Sequence, residues 1–169
     1  SVSALLAHPP APQQWAVKDF APLGAVTMLA APGGQGKSLL LLHLATHGAL
    51  GLAWGPFRFD TAVKTLYLSY EDGLRQIYDR LTDIRQDLEE QHGTLYDVRG
   101  ALDANVLAYR VEDPGTWLFL LKPDRFTPAE RSARVDWVVG LVRHAKIKLL
   151  VLDPMVYTHQ VPENDIADM

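Results

Sequence analysis

The residues best suited to chemistry form one short run, Ala31-Pro32-Gly33-Gly34-Gln35-Gly36-Lys37-Ser38. Glycine lets a backbone curl through positive φ and come close to a ligand. Such a curl turns successive N–H groups towards an anion, and a helix starting near Lys37 adds its positive end. Lys37 would reach the β- and γ-phosphates of a nucleotide, and the Ser38 hydroxyl would sit on Mg²⁺. Together with Leu39 this run is the expected phosphate-contacting segment. It fits the looser form of the P-loop pattern, because Ala31 stands where the strict form has glycine.

Two carboxylates at the ends of apolar runs complete the candidate chemistry. Asp153 closes Leu149-Leu150-Val151-Leu152 and fits the acid that holds the Mg²⁺ shell beside a P-loop. Its other reading is a strand-end Asp capping the turn at Pro154. Glu71 follows Thr61–Tyr70 and fits a base or positioner for an attacking water. Its other reading is an acid at the start of the next helix, and Asp72 is read as the cap there. His43 and His47 share one helical face, but no Glu of the zinc-protease pattern lies between them and no third ligand is evident, so they are read as structural.

These residues need a frame. The apolar run Ala25–Ala30 leads into the loop and reads as strand one; a helix from about Lys37 to Leu50 follows, ended by Gly51 and Gly55-Pro56. Thr61–Tyr70 is β-branched and aromatic and reads as strand two. Leu74, Ile77, Tyr78, Leu81, Ile84 and Leu88 recur at helical spacing to about Glu90. Leu107–Val111 and Trp117–Leu121 read as strands or strand fragments around a turn at 112–115. Thr127-Pro128-Ala129-Glu130 has the form of a helix start, with helical spacing on to about Ala145. The unbroken apolar run Leu149–Leu152 is what a parallel strand covered on both faces shows. Residues 15–20 read as an edge strand or a lid, followed by a turn. Residues 1–14, with Pro9, Pro10 and Pro12, read as an extended arm, a linker or a frayed terminus. The sum is a parallel α/β sheet, whose ligands bind at the carboxyl ends of its strands.

Composition sets the outer bounds. The chain has 169 residues, enough for one domain with a sizeable core. Its net charge is −4, so it lacks the bulk basic surface that binds nucleic acid non-specifically, and DNA contact would need a local patch or a ring of subunits. It has no cysteine, which excludes disulfides, thiolate zinc sites and cysteine nucleophiles and fits a cytoplasmic protein. The most apolar window, 39–52, is too short to span a bilayer, so no membrane association is expected.

Taken together, the loop Pro32-Gly33-Gly34-Gln35-Gly36-Lys37-Ser38, the run Leu66-Tyr67-Leu68-Ser69-Tyr70-Glu71-Asp72 and the Asp153-terminated strand resemble the RecA-like P-loop ATPases. Residues 15–169 are most similar to the plasmid RepA-type hexameric replicative helicases, which share the Glu71-Asp72 and Arg80-Leu81 signature and an acidic stretch such as Pro162-Glu163-Asn164. The resemblance implies a three-layer RecA-like fold, incomplete here at its C-terminal end, and ATP hydrolysis in a homo-oligomeric ring with each site between two subunits. It implies that Lys37, Ser38 and Asp153 hold Mg-ATP and that Glu71 activates water. It puts Arg80 near the adenine, although a surface pairing with Asp79 or Glu71 fits the residue equally well. The family's later strands, with its sensor, arginine finger and DNA loops, are not matched. Contact with single-stranded DNA is therefore expected through segments not in this chain, and His159 is not read as the sensor. Two rivals stand beside this reading. One is an ATP-gated assembly or regulatory module that unwinds nothing. The other is a small-molecule kinase, disfavoured by the lack of an arginine-rich lid.

Overall fold

The computed structural model describes residues 2–111, 119–120 and 130–154. A short helix α1 (Val2–Ala7) precedes a small antiparallel hairpin of β1 (Trp15–Val17) and β2 (Ala21–Pro22). Helix α2 (Lys37–Leu50), strand β3 (Thr65–Ser69), helices α3 (Leu74–His92) and α4 (Val98–Asn105) and strand β4 (Val106–Arg110) follow. A two-residue pairing of β5 (Phe119–Leu120) with β6 (Glu130–Arg131) is antiparallel. Helix α5 (Ala133–His144) then leads into β7 (Leu149–Asp153).

The main sheet has the order β4-β3-β7 and is parallel throughout, with Thr65 level with Val106 and Leu149. Every residue of β3 is buried. Alternation along the strand sends Thr65, Tyr67 and Ser69 to one face and Leu66 and Leu68 to the other. On the first face Tyr67 and Val151 pack with Leu42 of α2, Ile84 and Leu88 of α3 and Val98 of α4. On the second face Leu66 and Leu68 pack with Val138 of α5. Helices therefore cover both faces, giving the three-layer α/β architecture of a P-loop NTPase. Full burial of each such side chain is worth about 1.5–3 kcal/mol, so β3 is fixed from both sides. A third cluster joins the β1–β2 hairpin to the outer side of α2, with Val17 and Ala21 packed against Leu44 and Val63.

Helix α2 runs antiparallel to β3. The Val63 N–H donates to the Gly48 carbonyl at 2.7 Å, and Asn105 Nδ2 donates to the Ala49 carbonyl at 2.9 Å. The last turn of α2 thus lies level with the starts of β3 and β4. Fourteen residues of helix span about 21 Å, more than the length of β3, so the first turn of α2 lies at the carboxyl end of the sheet.

Several elements differ from the sequence reading. Ala25–Ala30 forms no strand: Val26 is 92% and Met28 70% exposed. A strand needs a partner for its backbone groups, and none of the described strands pairs with this segment. Residues 2–7 are helical rather than extended, because the prolines lie only at 9, 10 and 12. The hairpin β1–β2 stands where an edge strand and a plain turn were expected. Helix α4 was not anticipated; Asp97 caps it, accepting from the Gly100 N–H at 3.0 Å. Helix α5 begins at Ala133, and Glu130–Arg131 are strand, so the helix start expected at 127–130 is not the one used. Strand β7 is parallel as expected, but it is an edge of the described sheet and Leu150 is half exposed. The turn at 112–115, the acidic stretch 162–164 and His159 lie outside the described residues.

Candidate functional site at the carboxyl end of the sheet

The loop forms where the glycines put it. Gly34 and Gly36 both have φ of +76°, which side chains rarely adopt, and Gly36 is the N-cap of α2. No side chain caps this helix and its first turn holds no acid. Its leading N–H groups therefore have no side-chain acceptor, and the positive end of the helix dipole stays uncompensated. Residues 31–36 are exposed, Ser38 is half-buried and Leu39 is 41% exposed. Lys37 Nζ donates to the carbonyls of Ala31 at 2.7 Å and Pro32 at 2.8 Å. The ammonium thus closes the loop on itself and lies at the mouth of the curl.

The acidic side is built differently. Asp153, at the end of β7, is 5% exposed. The Tyr67 hydroxyl, from the neighbouring strand, donates to its Oδ2. Burial first, and then the bond to Asp153, push the phenol well above its usual range, so it stays a proton donor at any working pH. Past the end of β3, Glu71 is exposed while Asp72 is buried. The Asp72 N–H donates to Ser69 Oγ at 3.1 Å, which pins the turn. Asp72 is not the helix cap: Gly73 is the N-cap of α3 and no side chain caps it. Instead the Asp72 carboxylate accepts from Arg80 Nη1, two turns into α3. Asp79, one of the expected partners of Arg80, pairs with Arg75 at 2.9 Å.

Glu71 follows β3 and Asp153 ends β7, so both acids stand at the carboxyl end of the sheet, the end towards which the start of α2, with Lys37 and Ser38, is directed. The sequence reading missed Tyr67 and the Asp72–Arg80 pair. Their signal is a matter of register and of turns of helix, which becomes legible only once strand pairing is known.

Two features lie apart from this edge. His43 stacks on Trp54 with 4.4 Å between ring centroids, and His47 Nδ1 lies 3.0 Å from the His43 carbonyl oxygen. Burial lowers the pKa of both histidines. Among the described residues no group of side chains is arranged to hold a metal ion by itself. A cleft of about 460 Å³ between α3, α4 and β4 is lined by Tyr78, Arg85, Arg99 and Asp103 and by none of the loop residues. Both arginines there pair with Glu89, at 3.6 and 2.7 Å.

A glycine loop feeding a helix that runs antiparallel to a central parallel strand, with carboxylates at the same edge, defines a P-loop nucleotide-binding domain. The chain belongs to the AAA domain family, whose model matches residues 1–169, and it is accordingly a nucleotide-binding domain of ATPase type. No curated protein matches it. Among the described residues no helix is long and apolar enough to cross a membrane.

Proposed function

We propose that this domain binds Mg-ATP at the carboxyl end of its sheet and hydrolyses it, as the RecA-like motor domain of a RepA-type replicative DNA helicase or a related phage or plasmid replication protein. One observation carries the reading: a glycine loop with two left-handed residues opens a helix that no side chain caps, and a buried carboxylate ends a strand of the adjoining sheet. The loop from Ala31 to Ser38, through its N–H groups from Gly33 onward and with Leu39 behind them, would take the phosphates. Lys37 would exchange its two loop carbonyls for phosphate oxygens. Ser38 and Asp153 offer hard oxygen donors of the kind Mg²⁺ accepts, and Asp153 keeps one carboxylate oxygen that meets no donor among the described residues. When bound, Mg²⁺ would neutralise phosphate charge and orient the leaving group.

Exposed Glu71, one residue from the pinned Asp72, would orient the attacking water and draw its proton. Arg80, held along one edge by Asp72, would present its planar face to the adenine. In-line attack would then release ADP and phosphate, helped mainly by positioning and charge stabilisation. By the family resemblance, single-stranded DNA and further copies in a homo-oligomeric ring would be the partners of this domain.

The test is steady-state ATP hydrolysis with and without single-stranded DNA, with Glu71→Gln as the blank. Turnover that DNA stimulates and the variant loses is the expected result. Wild-type turnover in Glu71→Gln would remove Glu71 from the chemistry. ATP binding without a DNA response would favour the ATP-gated assembly module.

A further inference from the structure

We propose that Tyr67 is a positioning residue for Asp153, fixing the carboxylate so that a divalent cation on the bound nucleotide meets one defined oxygen; this rests on the Mg-ATP reading above. Tyr67 is fully buried, in the middle of the central strand. At such a position phenylalanine would fill the same space without a polar atom to satisfy. An unpaired buried hydroxyl is destabilising, so a tyrosine there calls for a partner, and Asp153 is that partner.

The register makes the contact possible. Tyr67 is level with Val151, two residues before Asp153 on the same face of the sheet. Two residues of strand advance about 6.6 Å, and a tyrosine side chain leaning along its strand has about that reach. The ring cannot swing away, because Leu42, Ile84, Leu88, Val98 and Val151 surround it in the core. The bond occupies Oδ2, while Oδ1 meets no donor among the described residues. The Asp72–Arg80 pair acts electrostatically on the same phenol. The hydroxyl therefore links the central strand to the metal-side acid, as outer-shell donors do for ligating carboxylates elsewhere.

The test uses this chain, a fluorescent ATP analogue and a MgCl₂ titration, read as binding rather than turnover. Tyr67→Phe is expected to raise the Mg²⁺ midpoint for nucleotide binding about tenfold and to leave binding in EDTA unchanged. Asp153→Asn, measured alongside, reports on the underlying reading. If Asp153→Asn shifts the midpoint and Tyr67→Phe does not, Tyr67 only fills the core and the proposal falls alone. If neither shifts it, the Asp153 assignment falls and takes the proposal with it. Should Tyr67→Phe fail to fold, 3-fluorotyrosine placed at position 67 alone supplies the second readout. Its ¹⁹F resonance should move when Mg²⁺ joins the nucleotide complex, and an unmoved resonance overturns the proposal.

Discussion

Asp153 and Asp72 are each less than a tenth exposed, and each is bonded to a side chain of another element or of a distant turn. The loop 31–36 is exposed along its whole length, and Lys37 finds its partners within that loop. The acidic half is thus part of the core. Its geometry is set by the packing of β3, β7 and α3 whether or not a ligand is present. The loop half is a local curl, held by two glycines in the left-handed region and one lysine. It has little packing to defend and can open towards an anion by exchanging two hydrogen bonds. Under the proposed function, a site divided this way would keep its acid fixed while its phosphate-binding half adapts.

The sharpest way to break this contrast is to attack each half and compare stability with binding. Leu42→Ala, beneath Tyr67, removes a fully buried side chain and should destabilise the fold by about 2–5 kcal/mol in urea unfolding. Lys37→Ala should change the stability of the free protein by less than about 0.5 kcal/mol. It should nevertheless abolish the gain of about 2.7 kcal/mol that ATP gives at a hundredfold excess over Kd. Equal ATP-induced melting shifts in Lys37→Ala and wild type would dissolve the loop assignment.

Arg80→Ala strands the nearly buried Asp72 carboxylate and should lower stability by about 1–3 kcal/mol, an intermediate loss on the acidic side. If it proves neutral in chemical denaturation, Asp72 is solvated and the acidic half is looser than described. Among the loop glycines, Gly33 lacks positive φ and its added Cβ would meet nothing within 4 Å. Gly33→Ala should therefore be nearly neutral in unfolding while weakening nucleotide binding, because only a ligand approaches there. A variant that binds ATP normally would show that the phosphates lie elsewhere.

The smallest expected effect is on pH and falls outside both halves. Burial depresses the pKa of His43 and His47 in the folded state, so the unfolded chain binds their protons more readily. Their contribution is complete above the ordinary histidine value of 6.5 and is lost as pH falls below it towards their folded-state values. Urea midpoints at pH 7.5 and 5.5 should show lower stability at the acid value, with a smaller difference in a His47→Asn variant.

Much of the frame was legible from the chain because the signals are local. Helix α2 runs from Lys37 to Leu50 as read, since the glycine at each end marks its boundary. Helix α3 followed from its apolar spacing, and β3 and β7 from their apolar and β-branched content. Ala25–Ala30 looked equally strand-like, yet strand formation depends on a neighbour, which composition does not reveal. Helix α4 is eight residues long and too short for a periodic signal, although Asp97 was in place to cap it. Asp72 looked like a cap because it precedes a helix; its carboxylate turned instead to Arg80, a charge two turns away.

By itself, then, the sequence determined the glycine loop, the helix behind it, and the acids Glu71 after β3 and Asp153 at the end of β7. These depend on backbone preferences and spacings within a few residues. Only the tertiary structure decided that β3 is central and β7 its neighbour, that Tyr67 reaches Asp153 across the strand pair, and that Arg80 holds Asp72. Those contacts join residues as far apart as 67 and 153, and only the register of the sheet and the burial of its faces bring them together.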